Sequence, residues 1–414
     1  MFKDSPNILS NTEKSIFLLI TLYPIFLITG NLFVNFFYIV ISIISIFNFK
    51  KSKVFFKSNI FYLLIFFLVY LFFNLFFSLN IINSYPRVIK FLLIILFVKE
   101  ISTFNNDKTE IYFEKIIKLW VIVYFVVTLD VIFEIIFGFN SLGFRSSLEG
   151  RIASFFGDEL VVGAFYHFFS LIVLSYLIKN NHQNLLFVLL VILIISVSFM
   201  IGERANFIRL FFSIFLFSFL ILKINYLKKI AIIGLTLLIL GVIFYSNDGL
   251  KKRYYNQVST LYSIDGINKY FKESQYGAHQ ITAYEIFKNN ILFGVGLKNF
   301  REESKKSIYE NQDYYKTSQR QATHPHQVHL ELLSELGLIG YVSFFILIFY
   351  SIIFSYKNYL LYKNPYQLSS LIFIISCLIP IIPSGSIFST FYGGIFWFSF
   401  GLMVSFNKNF KFKI

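Results

Sequence analysis

Charge is scarce in this chain of 414 residues: only 14% are Asp, Glu, Lys or Arg. Soluble domains carry about 25%, so the shortfall argues against an ordinary water-soluble globule. Cysteine is nearly missing too. Cys377 stands alone inside an apolar run, which excludes a disulfide framework and a thiolate metal cluster. Strict apolar–polar alternation is absent, and that excludes a membrane β-barrel. No small-residue cleavage site follows the first apolar run, and Met1 to Lys14 is polar, so a removed signal peptide is not expected. No internal repeat is visible.

What remains is hydrocarbon-compatible: 57% of residues are hydrophobic and 21% aromatic, with a mean hydropathy of +0.68. Apolar runs of about 20 residues recur, each long enough for a ~30 Å hydrocarbon core. Unpaired backbone groups are intolerable in lipid, so such runs must be helices. The expected fold is an all-α integral membrane protein with about twelve transmembrane helices. Their approximate spans are 15–29, 31–48, 58–78, 87–103, 111–137, 158–178, 184–200, 204–222, 227–246, 328–355, 366–382 and 386–406. This divides the chain into helices one to nine over 1–246, one large polar loop over 247–327, and three further helices with a tail over 328–414.

The net charge of +15 would suit nucleic acid, but the lysines sit in short loops between spans, where they report orientation instead. With a cytoplasmic amino terminus, Lys50, Lys51, Lys53 and Lys57, then Lys99, Lys108, Lys179, Lys223, Lys228, Lys229, Lys357 and Lys363, fall inside. Both termini are then cytoplasmic, and the long loop faces outward. The arginines behave differently. Arg87, Arg145, Arg151, Arg204, Arg209, Arg253, Arg301 and Arg320 all fall on or near the outer side. A guanidinium fork grips carboxylate or phosphate oxygens in pairs, so the outer face is expected to handle an anion.

Several short segments carry chemistry there. Arg151 opens a loop that ends in Asp158-Glu159, acidic residues that also suit a plain helix start. Gly202-Glu203-Arg204-Ala205 forms a whole outward turn, with Arg209 just over one helical turn on. A lone arginine can snorkel to headgroups, but an ionisable pair at a bilayer edge is by default a functional candidate. Asp130 and Glu134, four apart on one helix face, are candidates to receive these arginines or to pair structurally. His279 precedes a short helix. Gly294-Val295-Gly296 is weak as a phosphate loop and reads more simply as a tight turn. The sharpest cluster is His324-Pro325-His326-x-x-His329, where spacing puts His326 and His329 on one helix face. Without thiolates or an H-E-x-x-H pattern a metal is not expected; a proton carrier or a structural hydrogen-bonding role suits imidazole there.

At these residues the chain resembles the O-antigen ligase and O-antigen polymerase superfamily. The resemblance rests on Glu203-Arg204, on Gly294-Val295-Gly296-Leu297-Lys298-Asn299-Phe300, and on His326-Gln327-Val328-His329-Leu330 running to Glu335-Leu336-Gly337-Leu338-Ile339-Gly340. It implies a metal-independent glycosyltransferase of the GT-C type, without cofactor, in the bacterial inner membrane. Such an enzyme takes glycan from undecaprenyl diphosphate at the periplasmic face. Its acceptor is lipid A core for a ligase or another lipid-linked glycan for a polymerase.

Under this resemblance His326 and Arg204 match the family's histidine and arginine, with Glu203 as an alternative base. Arg151, Arg209, His279, His324, Arg301 and Arg320 are substrate-binding candidates. Family members carry a second arginine ahead of the loop's helix where this chain has His279 or Tyr276. A different class fits the hydropathy as well: a transporter or flippase of lipid-linked sugars or organic anions, which calls for midplane charges and repeated halves. A non-catalytic membrane scaffold is a third.

Overall fold

A computed structural model describes residues 9–48, 53–105, 109–180, 184–221, 226–261, 266–310 and 319–407. Lys50, Lys51, Lys108 and Lys223, used above for orientation, lie outside them. The chain is all-helical, with no strand among the described residues. The first half comprises α1 (Asn11–Thr29), α2 (Asn31–Phe47), α3 (Lys53–Phe56), α4 (Asn59–Asn74), α5 (Ile81–Phe104), α6 (Glu110–Phe137), α7 (Val162–Lys179), α8 (Asn184–Met200), α9 (Arg204–Ile221) and α10 (Tyr226–Ser246). The polar loop holds α11 (Asp248–Leu261), α12 (Gly266–Glu273), α13 (Gln275–Asn289) and α14 (Phe300–Glu303). After it come α15 (Val328–Tyr362), α16 (Pro365–Cys377) and α17 (Phe391–Ser405).

Among the described residues, seven helices are long and apolar enough to cross a membrane, and five further apolar helical stretches are shorter. The chain is therefore a multi-pass membrane protein. Its interior is built from helices that are apolar all round: α7, α16 and α17 bury nearly every side chain. Peripheral helices such as α2 and α4 instead leave Leu32, Phe36, Phe47, Phe66 and Phe73 exposed, as a lipid-facing surface requires. Trp120 and Trp397 fill the centre, each indole N–H donating to a main-chain carbonyl.

Two joints position the polar end of the bundle. The first is a clasp between the loop and α15. Gly337 has φ +66° and ψ −172°, a conformation open only to glycine, and it breaks α15. Around the break the backbone N–H groups of Leu338 and Ile339 donate to Ile291 and Leu292, while those of Val295 and Gly296 donate to Ser334 and Glu335. The Leu336 carbonyl, released at the kink, accepts the Tyr70 hydroxyl. Gly294 is forced as well, since a Cβ there would lie 2.5 Å from the Glu335 main chain. The Gly-x-Gly element is thus a main-chain clasp. From Leu338 to Tyr362 the helix continues for about 37 Å, enough to cross a hydrocarbon core alone.

The second joint is acidic. Asp130 accepts the Ser141 N–H and the Ser154 hydroxyl, and Glu134 accepts the N–H groups of Ala153 and Ser154. These carboxylates pair with the loop before α7, not with arginines. A loop anchored this way presents Arg151 at a fixed place.

Candidate active site

Beneath the polar loop, the ends of α2, α5, α7, α9 and α17 surround a cavity of about 740 Å³. Of the residues singled out by sequence, Arg151, Glu203, Arg204, Arg209, His324 and His326 line it together. They come from three separate stretches of chain. Arg301 and Arg320 do not line it. Arg301 is exposed on α14, and Arg320 is buried against Glu310 at 2.9 Å and the carbonyls of Lys305 and Lys306. The side chain of Arg253 lies outside the described residues.

The Glu203-Arg204 turn is locked before any ligand arrives. Gly202, at φ +76°, lets the chain reverse between α8 and α9. Ile152 N–H donates to Ile201, holding the Arg151 loop against the turn. Glu203 accepts the Gly163 N–H at 3.0 Å and the Asn206 amide at 2.6 Å, and it lies 3.5 Å from Arg151. A Cβ at position 163 would sit 2.7 Å from Glu203 Oε2, so only glycine admits the carboxylate. Both Glu203 oxygens are therefore engaged, a strut's arrangement more than a free base's.

Arg151 donates to the Leu160 carbonyl at 3.0 Å and leaves Nε–H without a protein acceptor. Arg209, fully buried, clamps the carbonyls of Ile382 and Pro383 at 3.0 and 2.6 Å and also leaves Nε–H unused. Arg204 is half-buried and faces the same space. Two further cations line the same space. Arg87, at the start of α5, and Lys298, from the Gly-x-Gly clasp, complete five cations around the cavity against Glu159 and Glu203. The outer-side arginine bias pointed at Arg87; Lys298 entered only as part of the Gly-x-Gly segment, with no role of its own.

Of the histidines, His324 and His326 line the cavity and His279 does not. His279 is buried and stacks on His326 with ring centroids 5.3 Å apart. His324 lies 4.0 Å and Tyr276 5.1 Å from His326. His329 points elsewhere: its ring nitrogens meet the Tyr341 hydroxyl and the Leu378 carbonyl, and it stacks on Phe345. The expected shared face fails because α15 starts at Val328, capped by the Gln327 side chain, so His326 precedes the helix. His326 instead has φ +55°, and its carbonyl accepts the Ser384 N–H.

Burial, then the neighbouring His279 and Lys298, pushes His326 down to about 4, and burial also lowers His279 and His324. These imidazoles are neutral at pH 7. A base depressed in the fold binds fewer protons there than in the unfolded chain. Stability is then complete above about 6.5 and is lost as pH falls toward 4. Thermal melting in detergent at pH 7 and pH 4.5 is expected to show a loss of up to about 3 kcal/mol. His326→Asn should flatten that loss; an unchanged slope contradicts the buried neutral imidazole.

Leu160, Lys298, His326 and Ile381, four non-glycine residues at positive φ, all line the cavity. Such conformations cost about 1–3 kcal/mol each and cluster at functional sites. Among the described residues no group of three or more His, Cys, Asp or Glu could hold a metal ion.

Residues 185–345 match the family model described as O-antigen ligase. That stretch holds Glu203, Arg204, Arg209, Tyr276, Lys298, His324 and His326, whereas Arg87, Arg151 and the 381–392 turn come from outside it. No curated protein matches the chain significantly. The likeness of residues 185–345 to the O-antigen ligase family, within an apolar helical bundle whose cationic and imidazole groups gather at one end, supports a membrane enzyme of polysaccharide biosynthesis.

Proposed function

We propose that the cavity transfers a glycan from undecaprenyl diphosphate to an acceptor hydroxyl at the periplasmic face of the bacterial inner membrane. The acceptor is lipid A core or another lipid-linked glycan. The observation that carries this reading is the convergence of Arg87, Arg151, Arg204, Arg209 and Lys298 on one cavity of about 740 Å³ at one end of an apolar bundle. Five fixed cations beside two carboxylates suit a ligand with more than one negative charge, and lipid diphosphate is such a leaving group. As the bond from the anomeric carbon to the diphosphate oxygen breaks, charge grows on that oxygen. Donors already aimed at the growing charge stabilise the transition state without reorganising. Neutral His326 is placed to hydrogen-bond the acceptor hydroxyl, and the His279 stack fixes its ring.

Membranes carrying the chain, supplied with undecaprenyl-diphosphate-linked glycan from the producing strain, test this. Arg204→Lys keeps charge but loses the planar fork, and is expected to lower transfer about 10²–10³-fold. His326→Ala should fall by a similar factor. Full activity in both variants removes the proposed site. The acceptor is read from a deletion strain: core bearing one repeat indicates a missing polymerase, and long chains left on the carrier lipid indicate a missing ligase.

A further inference from the structure

Transfer releases a proton from the acceptor hydroxyl, and the cavity must take it. His326 accepts it poorly, since burial and its neighbours hold the ring down to about 4. Glu203 is occupied on both oxygens by Gly163 and Asn206. Glu331, one turn into α15, differs. Its side chain is buried, Oε1 accepts the Ser386 hydroxyl, and Oε2 has no hydrogen-bond partner. A buried carboxylate oxygen without a hydrogen-bond partner calls for an explanation.

Ser386 lines the cavity from the turn that Arg209 clamps. Its oxygen donates to Glu331 and accepts the Phe388 N–H at 3.2 Å. A hydroxyl oxygen has two lone pairs, so one remains for a substrate hydroxyl. The groups in electrostatic reach of Glu331 are Arg87 from α5, Lys298 from the clasp, Tyr392 from α17 and Glu335 on its own helix.

We propose that Ser386 and Glu331 form a proton relay for the transfer reaction. The acceptor's proton passes to Ser386 Oγ as Ser386 passes its own to Glu331 Oε1. In the same step the acceptor oxygen bonds to the anomeric carbon, whose bonding pair to the diphosphate oxygen leaves with the lipid diphosphate. Once product departs, Glu331 returns the proton to water through Ser386. Ser386 is then a catalytic residue, and Glu331 acts through it.

This rests on the transfer reading above, and the test separates the two. The full-length chain in membranes is assayed with undecaprenyl-diphosphate-linked glycan across pH, and binding is measured with undecaprenyl diphosphate alone. Glu331→Gln is expected to lower kcat about 10²–10⁴-fold, remove the acidic limb of the pH profile and leave binding unchanged. Glu331→Asp should restore part of the rate and the limb; Ser386→Thr should work where Ser386→Ala does not. Native kcat and an intact limb in Glu331→Gln overturn the relay, as does a loss shared with undecaprenyl diphosphate binding that Glu331→Asp fails to restore. A native chain that binds undecaprenyl diphosphate and joins no glycan overturns the transfer reading instead.

Discussion

Gly337→Ala is expected to strip the chain of activity and to lower its stability by on the order of 3–5 kcal/mol. At φ +66° and ψ −172° an alanine is strained whatever space it has, and its Cβ would sit 2.5 Å from the Phe293 backbone nitrogen. Relief requires separating main chain from main chain, because the clasp consists of backbone hydrogen bonds between 291–296 and 334–339. Melting of the detergent-solubilised protein and size-exclusion profiles measure the loss. Gly138→Ala is the comparison: Gly138 also has positive φ, at +77°, yet a Cβ there meets nothing within 4 Å. Its cost should stay near 1 kcal/mol. Equal melting for native chain and Gly337→Ala would show that the clasp is dispensable.

Arg209→Ala is expected to be nearly as damaging, for an electrostatic reason. The buried guanidinium satisfies the carbonyls of Ile382 and Pro383, and removing it leaves both without their donor. Hydrogen bonds to a charged group are worth about 1.5–3 kcal/mol each, so a loss on the order of 3 kcal/mol follows. The turn it holds carries Ser384 and Ser386, so glycan transfer should fall at least about 10²-fold through misplacement. Arg209→Lys, which reaches one carbonyl but not both, should fall between. Native stability and transfer in Arg209→Ala would show that the turn stands without its clamp.

Much of the architecture was legible because lipid simplifies the problem: a run must be apolar, long and helical. Helices occur at each of the twelve apolar runs. The arginine asymmetry found Arg87, Arg151, Arg204 and Arg209, all of which line the cavity. It also found Arg301 and Arg320, which look identical in sequence. What removes them is where the loop folds, and loop folding has no periodicity to read. His326 and His329 misled for a related reason. Spacing of three means a shared face only inside a helix, and the helix begins at Val328, capped by Gln327, so His326 lies before it. Ser386 gave no signal at all; a serine beside a proline-containing turn is ordinary until Glu331 is found behind it.

The four non-glycine residues held at positive φ bear on how a ligand is met. Walls fixed in such conformations by main-chain contacts have little slack to rearrange around different guests. Free and occupied forms of this chamber should then be nearly superimposable.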